Sequence, residues 1–422
     1  MDNIGGATVR RVTRRLIPLL GLIYMIAYID RQNVSYAKLQ MVGDLGLSEA
    51  AYGLGAALFF IGYCVFEVPA NLVLDRVGAR VWFARIMASW GAVTIALAFT
   101  QNAAMFYVLR FLLGAAEAGF FPGVLYVLTL WYPQAQRARA VGQFMVASAV
   151  ANAVGAAIGG LLLDLDGLAG LRGWQWVFLV TGLPALLLVP VVLRALPRGP
   201  DEARWLDAAQ KSWLAATLDA ERGAGVRHAN PLRALGDPRV LMLCAAFLGF
   251  PLAAYGLGYW LPTIVKGFGV SNTVNGLLNV IPWTLVGFAL WWLPRHAARF
   301  RDQRWHLVGP PLVGAACLVG SVLAPGAWLK FAFLCIAAPA VFAAQPIFWT
   351  LPPRFLTGAG AAAGLALINA IGNLGGFVAQ TAVPRIRDET GSDLAPMLFL
   401  AACLTLAALG VLLVERRLPR PT

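Results

Sequence analysis

Charged side chains interrupt the long apolar runs of this sequence at a few positions. One pair lies in the stretch IAYIDRQNVSYA, and the full set is Asp30, Arg31, Glu67, Arg110 and Glu117. A charge near the centre of a bilayer costs roughly 2.5–3.5 kcal/mol on insertion scales, so a chain that keeps such charges uses them or neutralises them. Carboxyls offer proton transfer and guanidiniums offer anion binding, and these are the two chemistries to consider.

Helical spacing separates the two charges of the pair. Tyr24, Tyr28 and Arg31 share one helical face, at i, i+4 and i+7. Asp30 points about 100° away from Arg31, so we predict different neighbours for the two side chains. Two hydroxyls and a planar guanidinium on one face suit a carboxylate ligand, because arginine binds carboxylates through two parallel hydrogen bonds.

The two arginines lie at similar depths in their apolar runs, each near the predicted outer side. Glu117 lies seven residues beyond Arg110, about 10 Å deeper at 1.5 Å per residue. Two cations above a deeper carboxylate favour an anion that enters from outside. The structural alternative is that Arg31 and Arg110 pair with the carboxylates of Asp30 and Glu117.

The elements that carry these residues are membrane-spanning helices. The 422-residue chain is 59% hydrophobic and 13% charged, and runs of about 20 apolar residues, enough to cross a bilayer, recur twelve times. Lys and Arg concentrate at the termini and in the even-numbered loops, whereas the odd-numbered loops hold only six, and this predicts cytoplasmic termini. Lys38 is one of the six, so we expect it in an outer loop. We expect a multi-pass protein of a bacterial inner membrane. The net charge of +13 indicates this topology rather than nucleic-acid binding.

Cysteine and histidine positions argue against an enzyme. The five cysteines lie inside apolar runs, the three histidines lie in hydrophilic segments, and neither set has the spacing of a metal site. No nucleophile–base pair falls at membrane depth. We therefore predict neither catalytic activity nor a metal or other cofactor.

A long hydrophilic segment divides the chain. We predict an N-terminal six-helix half over 1–195, a cytoplasmic linker with a short amphipathic helix over 196–238, and a C-terminal six-helix half over 239–422. Gly-rich runs that contain Asn, AVGQFMVASAVANAVGAAIGG and AAGLALINAIGNLGGFVAQ, repeat weakly between the halves. The expected fold class is an all-α membrane protein with twelve transmembrane helices in two pseudo-symmetric halves.

Several stretches resemble the anion:cation symporter family of the major facilitator superfamily. They include YIDRQNVSYA, FEVPANLVLDRVGAR, RFLLGAAEAGFFPGVLYVLTLWYP, YWLPTIVKGFG and ALINAIGNLGGFV, and together they cover essentially the whole chain. The match is closest to tartrate and phthalate permease-like members. The resemblance implies a transporter that imports a small organic carboxylate with protons by alternating access, and we expect it to act as a monomer.

The resemblance also implies roles for individual residues. Arg31 binds the anion, and Asp30 and Glu117 carry protons. The end of the second helix and the loop after it resemble a cytoplasmic gate formed by Glu67, Asp75, Arg76 and Arg80.

The C-terminal half has no central charge, so its candidate ligands are neutral. They are Tyr255, Gln345, Trp349 and Asn369, and Ser148 of the other half adds a hydroxyl. The resemblance implies that Trp349 and Asn369 face the cavity. Pro346 and Phe348 stand where the family often has small hydroxyl residues, which favours a compact or aromatic acid over a sugar acid.

Two other functions remain open at this stage. A proton-driven drug or metabolite exporter has the same fold, although two central arginines argue against a cationic substrate. A transporter-like sensor binds an anion and signals without transport.

Overall fold

The protein is described by a computed structural model that covers residues 2–223, 236–297, 299–300, 302–349, 351–352 and 358–417. Every element of regular secondary structure within these ranges is a helix. The helices before the predicted linker are α1 (Asp2–Asp44), α2 (Glu49–Val77), α3 (Ala79–Leu97), α4 (Ala103–Glu117), α5 (Phe120–Trp131), α6 (Gln134–Leu163) and α7 (Gly173–Ala195).

The remaining helices begin with one in the predicted linker segment. They are α8 (Ala208–Gly223), α9 (Pro238–Lys266), α10 (Asn272–Ala297), α11 (Arg304–Leu323), α12 (Ala327–Ala343), α13 (Gln345–Phe348), α14 (Gly358–Thr390) and α15 (Leu394–Arg417). Short 3₁₀ turns lie at Leu168–Gly170 and Pro200–Glu202.

The helices account for the twelve predicted membrane crossings. Ten stretches of the described chain are long and apolar enough to span a bilayer. Two of these stretches each combine two helices, α4 with α5 and α12 with α13. Helices α3 and α14 bring the number to twelve, so the predicted fold class is confirmed.

The sequence predicts the fourth membrane crossing as one continuous helix, but the structure divides it into α4 and α5. It is broken after Glu117, where Ala118 is extended and Gly119 adopts a left-handed conformation with φ +82°. Glycine adopts this conformation without steric cost. A Cβ on Gly119 would also lie 2.6 Å from that of Ala70 on α2, so the close approach needs glycine. The break makes Glu117 the last residue of α4.

Helices before and after the linker segment meet at one end of the bundle. This end carries the α1–α2 turn, and we call it the outer end because the sequence predicts that it faces outside. Gly160 of α6 lies against Gly276 of α10, where a Cβ on Gly276 would lie 2.9 Å from the Cα of Gly160. Asp164 accepts hydrogen bonds from the backbone N–H and hydroxyl of Thr273. Small residues thus let these helices approach closely.

Lys38 corrects a second expectation, since the apolar pattern placed it in an outer loop. Helix α1 continues to Asp44 and leaves the Lys38 side chain only 2% exposed. Its ammonium lies 2.7 Å from the Glu49 carboxylate and 3.2 Å from the centre of the Trp260 ring. The charge is therefore neutralised inside the bundle, by groups that come from α2 and α9.

Candidate functional site

Arg31 and Glu117 form a buried ion pair between α1 and α4. The Arg31 Nε donates to Glu117 Oε2 at 2.8 Å, and the two side chains are 13% and 1% exposed. The rings of Tyr28, Phe59 and Tyr63 surround the guanidinium, with centroids 5.0–5.5 Å from its carbon. Aromatic rings attract a cation at this range and help to hold it in place.

Asp30 faces a different set of helices, as the helical spacing predicts. Its carboxylate accepts a hydrogen bond from Asn33 at 2.9 Å and another from Thr94 of α3 at 2.8 Å. Asn33 also donates to the hydroxyl of Thr181 on α7, at 2.9 Å. The sequence does not indicate these partners, because a polar residue on another apolar run gives no sign of which helix it faces.

The two buried acids are neighbours. Asp30 and Glu117 interact through their charges. Glu117 Oε1 is buried without a hydrogen-bond partner. Two neighbouring buried carboxylates repel each other, and a proton on either of them removes that repulsion. The arrangement therefore suits a proton carried by Asp30 or by Glu117.

Arg110 is buried but is not paired in the same way. It is 3% exposed, and it donates from Nη2 to the backbone oxygen of Ala56 at 3.2 Å. Its Nε and Nη1 are buried without a partner. No carboxylate of the described residues lies within 4 Å of it. The structural alternative of pairing thus holds for Arg31 and fails for Arg110.

The predicted tyrosines extend the site. Tyr28 lies edge-on to Tyr24 with centroids 4.8 Å apart, and Tyr24 stacks on Phe144 at 4.3 Å. Tyr255 of α9 lies beside Arg31 and interacts with its charge, and its ring meets Phe60 at 4.8 Å. The site is thus lined by aromatic rings from helices on both sides of the linker segment.

Four candidate ligands remain, in α6, in α13, directly after α13 and in α14. The Ser148 hydroxyl donates to a backbone oxygen of its own helix at 2.8 Å. Gln345 begins α13, and its Nε2 is buried without a partner. Trp349 lies edge-on to Phe247 at 4.7 Å, and Asn369 is half-buried on α14. None of these four makes a hydrogen bond or ring contact with Arg31 among the described residues.

The predicted gate residues are only partly described. Glu67 on α2 is 9% exposed and interacts with the charge of Arg31. Asp75 and Arg76 lie outside the described side chains. Glu67 is therefore connected electrostatically to the central site.

Arg80, near the start of α3, connects that helix to the segment after α7. Its Nε donates to the backbone oxygen of Leu196 at 2.6 Å, and its Nη2 contacts the Glu202 carboxylate at 2.5 Å. The backbone N–H of Arg198, together with the Arg80 guanidinium, lowers the pKa of the Glu202 carboxyl. Sequence reasoning missed Glu202, because one acid in a charged segment carries no sign of its partner.

Comparison with known proteins assigns the family. The model of the Major Facilitator Superfamily matches residues 20–380. The chain belongs to the major facilitator superfamily. It is 45% identical to a protein of Acinetobacter baumannii named quinolone resistance transporter, over 98% of this chain and 96% of that protein. It is 41% identical to a putative tartrate transporter of Agrobacterium vitis, over 99% of this chain and 94% of that protein.

A solved structure supports the fold. A bacterial homologue of the human lysosomal transporter Spinster, solved in an inward-facing and occupied conformation, superposes with a TM-score of 0.76 at 18% identity and covers 95% of this chain. The match extends over 96% of that chain. This superfamily member is therefore a multi-pass membrane transporter of a small molecule, and the sequence resemblance to tartrate permease-like proteins is confirmed.

Proposed function

We propose that this transporter imports a small organic carboxylate together with protons by alternating access. The observation that carries the proposal is the buried Arg31–Glu117 pair with Asp30 beside it. The guanidinium has the planar donor geometry that recognises carboxylates, and a carboxylate of the protein occupies it at 2.8 Å. An organic acid that enters the site competes with Glu117 for the same donors.

This exchange of partners couples the anion to a proton. When a substrate carboxylate takes the Arg31 donors, Glu117 loses its counter-ion at a position that is 1% exposed. A buried carboxylate without a cation binds a proton rather than stay charged. Asp30 is the neighbouring group that gives or receives this proton. Asp30 and Glu117 are therefore the proposed proton carriers.

The aromatic lining supports a compact or aromatic acid as substrate. Flat rings around Arg31 bury the apolar part of such an acid and leave its carboxylate on the guanidinium. The proposed substrate ligands are Tyr24, Tyr28, Arg31, Arg110, Ser148, Tyr255, Gln345, Trp349 and Asn369.

We propose 1–195 and 239–422 as the two moving units, with 196–238 as the cytoplasmic linker. The concentration of basic residues at the termini and in alternate loops supports cytoplasmic termini in a bacterial inner membrane. The contact of Arg80 with Glu202 supports a cytoplasmic gate, because it connects the start of α3 to the start of the linker. The proposed gate residues are Glu67, Asp75, Arg76 and Arg80, and the proposed functional unit is a monomer.

Thermal unfolding with a ligand panel tests the substrate class. The detergent-purified protein is heated with tartrate, phthalate, sugar acids, short dicarboxylates and cationic dyes. A ligand that binds only the native state raises its stability in proportion to ln(1 + [L]/Kd). A rise in Tm with one carboxylate class, followed by its proton-driven accumulation in liposomes, supports the proposal. Accumulation without any dependence on a proton gradient contradicts the symport.

Proton-driven export of a drug or metabolite is a second candidate. It is favoured by the relative that is named a quinolone resistance transporter. A cationic drug is disfavoured by Arg110, because its guanidinium has no carboxylate partner among the described residues and repels a second positive charge. A rise in Tm with the cationic dyes alone therefore replaces the symporter proposal with the exporter.

A further inference from the structure

Arg110 is a buried cation whose hydrogen-bond donors are mostly unpaired, with the Phe59 ring centroid 5.1 Å from its guanidinium carbon. A guanidinium has five N–H donors, yet one hydrogen bond to Ala56, at 3.2 Å, is all that the described residues supply. Both Nε and Nη1 are buried without a partner. Leaving buried donors of a charged group unpaired costs free energy, so such a residue is kept for a partner that arrives from elsewhere.

Tyr259 of α9 presents a second unpartnered group beside Arg110. It is 4% exposed, and its hydroxyl is buried without a hydrogen-bond partner. The Tyr259 ring lies beside that of Tyr52, with centroids 6.3 Å apart, and both side chains interact with the charge of Arg110. The Tyr52 hydroxyl is already occupied, because it donates to the backbone oxygen of Val34 at 2.9 Å. Tyr259 therefore has the free hydroxyl of the two.

These groups lie just inside the closure at the outer end. Trp260, the residue after Tyr259, lies against the ammonium of Lys38, which is bound to Glu49. Helix α9 follows the linker, whereas α2 and α4 precede it. Separation of the outer ends would therefore carry Tyr259 away from Arg110 and open Arg110 to the outside.

We propose that Arg110 and Tyr259 form a second anion-binding position, which takes a carboxylate of the substrate between the outer end and Arg31. One of the two unpartnered guanidinium nitrogens of Arg110 donates to a carboxylate oxygen, and the Tyr259 hydroxyl donates to the same carboxylate. One ligand then satisfies the Tyr259 hydroxyl and part of the Arg110 guanidinium. This position rests on the proposed carboxylate import and adds to it. Arg31 pairs with Glu117, seven residues beyond Arg110 on α4, so Arg31 lies deeper than Arg110 and not at the similar depth that the sequence predicts. The acid therefore meets Arg110 before it reaches Arg31.

The test compares Tyr259→Phe with Tyr36→Phe. Tyr36 on α1 is 3% exposed, and its hydroxyl is also buried without a partner, so it is a matched control away from Arg110. Uptake of radiolabelled tartrate and of radiolabelled phthalate is measured in right-side-out membrane vesicles with an inward proton gradient. Loss of one ligand hydrogen bond is expected to raise KM for the accumulated acid about tenfold in Tyr259→Phe. In Tyr36→Phe, KM is expected to stay at the wild-type value.

Thermal unfolding without ligand separates a ligand role from a structural one. Both variants are expected to keep or raise Tm, because each removes a buried hydroxyl that has no partner. If wild type accumulates one acid and Tyr259→Phe has the wild-type KM, the second position is wrong while carboxylate import stands. If wild type accumulates neither acid, carboxylate import fails and the second position falls with it.

Discussion

Replacement of Lys38 by methionine is expected to favour a conformation in which the outer ends have separated. Lys38 connects helices on both sides of the linker, because its ammonium binds Glu49 of α2 at 2.7 Å and lies 3.2 Å from the Trp260 ring of α9. Methionine keeps an unbranched apolar chain that packs on the ring. It removes the charge that holds the three groups together.

The magnitude follows from the burial of the three groups. A desolvated cation–π contact is worth about 2 kcal/mol. Glu49 is 29% exposed, so water solvates its carboxylate after the change, and the loss of the ion pair adds about 1 kcal/mol rather than the value of a fully buried pair. Methionine also removes the free-energy cost of burying the Lys38 ammonium, and this gain offsets part of the loss. A net shift of about 1–2 kcal/mol changes the ratio of the two conformations about 5- to 30-fold.

Distances between two spin labels at the outer end measure this shift. Leu168 and Trp328 are 55% and 70% exposed there, so each is replaced by a labelled cysteine. The native cysteines, Cys64, Cys244, Cys317, Cys335 and Cys403, are replaced by alanine. Lys330→Met is the matched control, because no carboxylate of the described residues lies within 4 Å of that lysine. Equal distance distributions in wild type and Lys38→Met, or equal shifts in both lysine variants, would refute the reasoning.

Three further changes give measurable outcomes. Arg31→Lys is expected to weaken carboxylate binding about tenfold in thermal-shift titrations, because lysine lacks the two-pronged donor geometry. Glu117→Gln is expected to retain exchange of substrate across liposomes but to lose accumulation against a gradient. Asp237→Ala removes the N-cap of α9 and is expected to cost about 1 kcal/mol in thermal unfolding. Hydrogen bonds from Arg239 lower the pKa of the Asp237 carboxyl, so this stabilisation is present above the ordinary aspartate pKa and is lost as pH falls through the lowered value.

The sequence predicted the fold and the directions of the central charges for a simple physical reason. Each apolar run is long enough to fix its own helix, and the 3.6-residue period fixes how neighbouring residues diverge on it. Asp30 and Arg31 accordingly reach different helices. The helical period and the length of an apolar run describe a single helix. The predictions were therefore most specific about features inside one helix.

The partners of those charges could not be predicted in the same way. Thr94 binds Asp30 from α3, and Glu202 binds Arg80 from the segment after α7. Which of several polar residues meets a charge depends on how distant helices are rotated against each other, and no local pattern records that. Lys38 was misplaced because a single lysine near the end of an apolar run resembles a loop residue until Glu49 and Trp260 are seen beside it.

The charges of the central site predict opposite effects on proton binding for the two candidate functions. An anionic substrate causes proton uptake, and a cationic substrate causes proton release. Asp30 and Glu117 cancel the charges of Arg31 and Arg110 when both acids are ionised, and one bound proton leaves these four groups with a net positive charge. An anion binds best to the protonated cluster, so by reciprocity its binding draws protons from solution. A cation binds best to the cluster with both acids ionised, and its binding releases protons. Adding phthalate to the purified protein in weak buffer with a pH-sensitive dye is therefore expected to raise the pH, and a fall in pH would contradict coupled import.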